Sequence, residues 1–270
     1  MELFLLRIII LAIGSGAAAI QDAKTTLISD KITYAMIALG IIINLVELNW
    51  QGLVLGAIVF ALGYLVYYLG KIGGGDVKLF TGIVFLMPFF NGKIFVISIL
   101  VFSALLALVF YSAYFVSKYA RKGINWKENS QNIKMSIVLG IVFFGLLAIL
   151  FAGGFEFTAL LFLIIPPITL GLLFMAFETG IRKNFFLRKI AIEKLEEDEV
   201  IAMEFLDEKT KKILGLNAKR IMGEKEKEKL KKSGIKEVLV YRGMPPFAPF
   251  IFAAIILVLA RPELAEIFFI

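Results

Sequence analysis

The 270-residue chain contains no cysteine and no histidine. Without cysteine, disulfides and thiolate zinc sites are excluded. Without histidine, the usual general base and the commonest transition-metal ligand are gone as well. Charge is also scarce, with Asp, Glu, Lys and Arg together making up 19% of residues. Any catalysis must therefore run on carboxylates, lysines, hydroxyls or a bound cofactor. What fills the chain instead is apolar: 60% of residues are hydrophobic and the mean hydropathy is +0.88. A soluble globular domain is nearer half apolar.

The apolar residues fall in long runs, at 3–20, 32–48, 51–70, 77–90, 94–117, 135–152, 157–177 and 246–260. A spanning helix needs about 20 consecutive apolar residues. The runs predict an all-α polytopic membrane protein with about eight transmembrane helices. Residues 1–19 end in Ala17-Ala18-Ala19, but they open Met1-Glu2 with the first cation at Arg7. A signal peptide opens with a positive region, so the segment reads as a retained helix.

Between the seventh and eighth runs, residues 182–242 hold 17 Lys/Arg and 12 Asp/Glu. Short strands are expected at 200–205 and 238–241, and a polar helix between Gly223 and Gly234. The division expected is a helical membrane domain at 1–180, a small cytoplasmic α/β subdomain at 181–244 and a closing transmembrane helix at 245–270. The lysines of the subdomain read as a solvated face, with attraction to anionic lipid head groups as the functional alternative. No nucleic-acid partner is expected, and oligomeric state is left open.

With eight spans, the loops at 21–31, 71–76, 118–134 and 182–245 share one side. All Lys/Arg except Arg7, Lys93 and Arg261 lie on that side, Lys78 just past the edge of the 71–76 loop and the rest within the loops. The positive-inside rule makes that side cytoplasmic, in a multi-pass protein of the plasma membrane.

An ionisable residue at membrane depth is a functional hypothesis by default. Glu47, Glu156 and Glu178 read as solvated carboxylates at loop ends. Asp76 is different, because it follows Gly73-Gly74-Gly75 and precedes an apolar run. Those glycines let another chain approach closely, although an aspartate there also suits a helix cap. Asp22 ends the first span, and the topology puts it at the same cytoplasmic edge as Asp76. Two carboxylates in a poorly solvated site cannot both ionise comfortably, so they share a proton. Such a pair activates water with one member and protonates a carbonyl or leaving amine with the other. Lys24 and Lys78 flank the pair as membrane-edge anchors or as cations that support one ionised carboxylate. Asp30 is the rival to Asp22, with helix capping as its ordinary role.

Gly73-Gly74-Gly75-Asp76 resembles the GxGD signature of intramembrane aspartyl proteases. With Asp22 and the following Val77-Lys78-Leu79, residues 5–115 resemble the type IV prepilin peptidases, especially their archaeal preflagellin branch. The Pro-rich stretch 242–250 is similar to the segment that leads into the last helix of archaeal members. The resemblance implies a catalytic dyad at Asp22 and Asp76, an active-site loop at Gly73, Gly74 and Gly75, and no metal or cofactor. It implies partners that are pilin- or archaellin-like precursors, cut after a short basic leader. Two features depart from the pattern: Ile28-Ser29 stands where Ile-Pro is usual, and the cysteine-rich loop of many bacterial members is missing. Cleavage without N-methylation is therefore expected. Alternatives are a signal-peptide-peptidase-like protease, against which Gln21-Asp22 replaces the usual Tyr-Asp, and a cation- or proton-coupled transporter using the same aspartates.

The orientation is testable. Ser130→Cys and Ser233→Cys should both escape an impermeant thiol reagent applied to intact cells. Efficient labelling from outside at either site overturns the shared cytoplasmic face.

Overall fold

A computed structural model describes residues 2–70, 72–154, 159–195, 199–214, 223–243 and 245–266. Met1 and Glu156, both named from the sequence, lie outside them, as does residue 244 of the Pro-rich stretch. The helices are α1 (Glu2–Thr25), α2 (Asp30–Val46), α3 (Trp50–Tyr68), α4 (Gly74–Leu86), α5 (Phe95–Lys122), α6 (Trp126–Ala152), α7 (Ala159–Ala176), α8 (Glu178–Ile181), α9 (Glu208–Leu214), α10 (Glu224–Lys232) and α11 (Ala248–Ala260). The strands are β1 (Phe89–Phe90), β2 (Lys93–Ile94), β3 (Leu187–Ala191), β4 (Val200–Ile201) and β5 (Glu237–Tyr241). Contacts divide the chain into two units, residues 1–100 with 186–270, and residues 101–185.

Eight spans are not found among the described residues. Among the described residues, α1, α3, α5 and α6 are long and apolar enough to cross a bilayer. The pair Leu163–Ala176 and Glu178–Phe186, bent by 68°, makes a fifth if it counts as one span. The other expected spans are short: α2 has 17 residues, and α4 and α11 have 13 each. At 1.5 Å per residue, 13 residues reach about 20 Å against a hydrocarbon core of about 30 Å. The fourth apolar run was overcounted because it continues past the end of its helix. Pro88 disfavours helix at Met87, so α4 stops at Leu86. The chain then turns through a β1–β2 hairpin on Asn91 and Gly92, both at positive φ.

Helix α4 is the centre of the first unit. Val77 and Leu79 through Leu86 are all buried. A helix apolar on every side is a core helix, and here α1, α2 and α3 pack around it. Phe85 is the knob that seats it. A Cβ on Gly40 of α2 would lie 2.6 Å from the Phe85 backbone, and one on Gly56 of α3 would lie 2.3 Å from its ring. Both positions must be glycine for the three helices to meet.

The last turn of α4 needs partners for its carbonyls, and Arg7 supplies them. Only 5% exposed, it donates to Leu86 O at 2.6 Å, Phe85 O at 3.3 Å, Asn44 Oδ1 at 2.9 Å and Glu47 Oε2 at 2.7 Å. Asn44 donates in turn to Phe85 O at 2.7 Å. Glu47 stays at the surface, as its loop-end position suggested, and there pairs with the buried Arg7. A guanidinium at a helix C-terminus also suits the helix dipole.

The described residues of 187–241, in the same unit, form a small layered module. Strands β3, β5 and β4 lie antiparallel in that order, with Ile190 opposite Val238 and Ile201 opposite Val240. Ile190, Ile192, Leu195, Ile201, Leu206, Leu214, Leu230, Val238 and Val240 make its core, with α9 and α10 contributing Leu214 and Leu230. The expected strand at 200–205 is only Val200–Ile201, because Met203–Phe205 closes into a 3-10 turn.

The second unit holds most of α5 together with α6, α7 and α8. Its helix break at Phe177 is held by a polar knot. The Tyr119 hydroxyl accepts from Asn125 N at 3.1 Å and Asn129 Nδ2 at 3.0 Å, and Gly180 N donates to Asn129 Oδ1 at 3.0 Å. Glu178, like Glu47, has an ion-pair partner, Arg182 at 2.5 Å.

Removing Arg7 takes a donor away from the buried Leu86 and Phe85 carbonyls and from Asn44 Oδ1. Arg7→Ala should cost about 2 kcal/mol, the scale of leaving buried acceptors unsatisfied. Thermal unfolding in detergent would measure it, and an Arg7→Ala protein as stable as wild type would show that the knot does not hold α4.

Candidate active site

Asp22 lies in the last turns of α1, and Asp76 in the first turn of α4, ahead of its apolar stretch. The connection from α1 is short and fixed. Thr26 turns the chain at φ 56°, Gln21 Oε1 accepts from Ser29 N at 3.0 Å, and Ser29 caps α2 by accepting from Lys31 N. The capping role expected of Asp30 thus belongs to Ser29. Asp30 instead binds Lys78 Nζ at 2.6 Å, and the Lys78 ammonium also sits 5.0 Å from the centre of the Tyr34 ring. The hydrogen bond that Lys78 donates to Asp30 holds Lys78 above the ordinary lysine range.

The three glycines serve Asp76. Gly73 is the N-cap of α4 and Asp76 its third helical residue, so the carboxylate reaches back to the Gly73 backbone, as in a capping box. A Cβ on Gly73 would lie 3.0 Å from Asp76 Oδ2, and one on Gly75 would lie 3.0 Å from Ile28 Cβ in the α1–α2 connection. Side chains at either place would push the aspartate or the neighbouring loop away.

Asp22 is 6% exposed, and its Oδ2 accepts a 2.9 Å hydrogen bond from the backbone N–H of Ala248, the first residue of α11. Asp76 is partly buried. Burial raises its pKa, the charge of Asp22 raises it further, and the Gly73 backbone N–H lowers it in part, leaving it at about 7. The two carboxylates therefore feel each other, and at neutral pH Asp76 carries the proton for part of the time. Lys24 is exposed and Lys78 is taken up by Asp30 and Tyr34. Among the described residues, no group of three or more Asp or Glu is arranged to hold a metal ion.

Ala248 was missed from the sequence as a site residue. The Pro-rich stretch at 242–250 pointed to its neighbourhood, but a backbone N–H leaves no signature in residue type.

Helical membrane segments with two interacting aspartates at helix ends define a class of aspartate-pair membrane proteins. Residues 9–114, which include Asp22 and Asp76, match the type IV leader peptidase family. That region, which is less than half of the chain, is similar to this family. It is similar to the prepilin peptidase EppA of Methanothermobacter thermautotrophicus, 34% identical over 97 residues, which cover 33% of this chain and 25% of that protein. The chain therefore spans about a quarter of the length of the curated relative it matches. No solved structure matches.

The Asp76 environment has a stability consequence. A carboxyl with a raised pKa stabilises the fold most below its unfolded value of 3.8 and loses that contribution as pH rises through about 7. Asp76→Asn keeps an acceptor for Gly73 and cannot ionise. Its melting temperature relative to wild type should climb between pH 4 and pH 8. A difference that stays flat across that range would show that Asp76 is not held in an unfavourable site.

Proposed function

We propose that this protein is an aspartyl endopeptidase that removes the short basic leader from pilin- or archaellin-like precursors at the cytoplasmic face of the membrane. The observation that carries the reading is the electrostatic coupling of Asp22 and Asp76 in a water-poor site, inside the region that matches leader peptidases. The missing cysteine supports cleavage without methylation of the new N-terminus.

The chemistry needs only the pair. Asp22 takes a proton from a water whose oxygen attacks the scissile carbonyl carbon. Asp76 gives its proton to the carbonyl oxygen, producing a tetrahedral diol. The diol then collapses: Asp22 returns its proton to the departing amine nitrogen, the C–N bond breaks, and Asp76 recovers a proton from a hydroxyl of the diol. Neither carboxylate can do the other's share. Binding a precursor would exclude more water and strengthen both proton transfers.

Three substitutions test this. Asp22→Asn and Asp76→Asn should each abolish precursor cleavage in membranes at normal abundance, and the double variant should be no worse, because a catalytic unit fails as a whole. Asp30→Asn should keep most activity. A dead Asp30→Asn beside an active Asp22→Asn would move the pair to Asp30, and activity in both Asp22→Asn and Asp76→Asn would remove the protease reading.

The pH profile follows from Asp76. The acid form is needed, so the cleavage rate should fall as pH rises through about 7. Constant rates from pH 6 to 9 would rule out Asp76 as the proton donor.

A further inference from the structure

Helix α11 lies outside the family-matching region, yet it touches the aspartate pair. Its buried stripe, Ile251, Ala254, Ile255 and Val258, has the i, i+3, i+4, i+7 spacing of a helix laid along a partner. That partner is α1, against which α11 packs. At Gly16 of α1, an added Cβ would lie 3.3 Å from the Phe252 ring. The start of α11 also meets α4: the rings of Phe247 and Phe80 lie 6.4 Å apart, and Phe80 is one helical turn beyond Asp76. The first residue of α11 is thereby located against both aspartate-bearing helices.

The local sequence stiffens this arrangement. Pro246 precedes the helix and Pro249 stands in its first turn, where proline's fixed φ suits a helix start. Pro249 has no N–H to offer. Ala248, fully buried, gives its N–H to Asp22 Oδ2, across 226 residues of sequence. A helix N-terminus also favours a negative group electrostatically.

We propose that the Ala248 backbone N–H is a positioning group for catalysis. It commits Oδ2 of Asp22 to the backbone, fixes the plane of the carboxylate, and leaves Oδ1 as the oxygen that takes the proton from water. The carboxyl-terminal helix then completes a centre whose two aspartates come from the family-matching region. This inference rests on the peptidase reading.

The test removes that one N–H from the full-length protein. Nonsense suppression with the α-hydroxy acid of alanine at position 248 replaces N–H by an ester oxygen and keeps the methyl group. The same exchange at the exposed Ala253 removes one ordinary N–H of α11 and serves as the control. Precursor cleavage should show kcat reduced roughly 10–100-fold for the ester at 248, with KM little changed. The control should keep wild-type kcat, and the two esters should melt at similar temperatures. Ala248→Pro deletes the same N–H by a second route and should reproduce the kcat loss.

Equal kcat for the two esters would overturn the proposal, as would a loss at 248 confined to KM or matched by the control. If the ester at 248 melts far lower than the control, Ala248→Pro at wild-type stability decides by the same kcat criterion. If both 248 variants melt far lower, the N–H serves the fold and the proposal fails. A wild-type protein that cleaves no pilin-like precursor would instead sink the peptidase reading.

Discussion

A carboxylate taken out of water must be hydrogen-bonded or share its charge, or it will not stay charged. Asp22 faces that requirement at the end of an apolar helix, 6% exposed and coupled to a second carboxyl. Its solution is a backbone N–H from the other end of the chain. Much of the first unit follows from holding that arrangement. The α1–α2 connection has to be tight, α4 has to begin on glycines, and α11 has to start where it does.

Helix α4 shows how the site is kept rigid. At its first turn the Gly73 backbone and the Lys78–Asp30 pair fix the position of Asp76. At its last turn Arg7, Asn44 and Glu47 satisfy the exposed carbonyls. Between the ends, Phe85 fills hollows left by Gly40 and Gly56. A helix pinned by polar contacts at both ends and by glycines in the middle has little freedom to slide. The proposed catalytic pair, split between two helices, needs that, since a displacement of about 1 Å can cost two orders of magnitude in rate.

The pair of aspartates and their glycine loop were legible in the sequence, because charges are rare in apolar runs and three consecutive glycines are conspicuous. Helix number was not. Hydropathy reports that a segment avoids water, but it does not distinguish lipid from protein as the alternative. The apolar run at 77–90 is as greasy as a span, yet α4 is buried by α1, α2 and α3. Position told only part of the story for Glu47, which is exposed as a loop-end glutamate should be but also pairs with the buried Arg7. The Asp30–Lys78 pair spans 48 residues, and neither residue's immediate neighbours announce the other.

The module at 187–241 takes its meaning from where it leads. It has its own apolar core, which includes Val238 and Val240. Strand β5 ends at Tyr241, and Arg242 N bonds back to Phe186 O, closing the sheet where the chain leaves for α11. Only six residues then separate Tyr241 from Ala248. Prolines in that short link limit its conformations, so the sheet edge and the start of α11 are mechanically close. The module and the start of α11, whose Ala248 N–H holds Asp22, are thus neighbours in sequence as well as members of one unit.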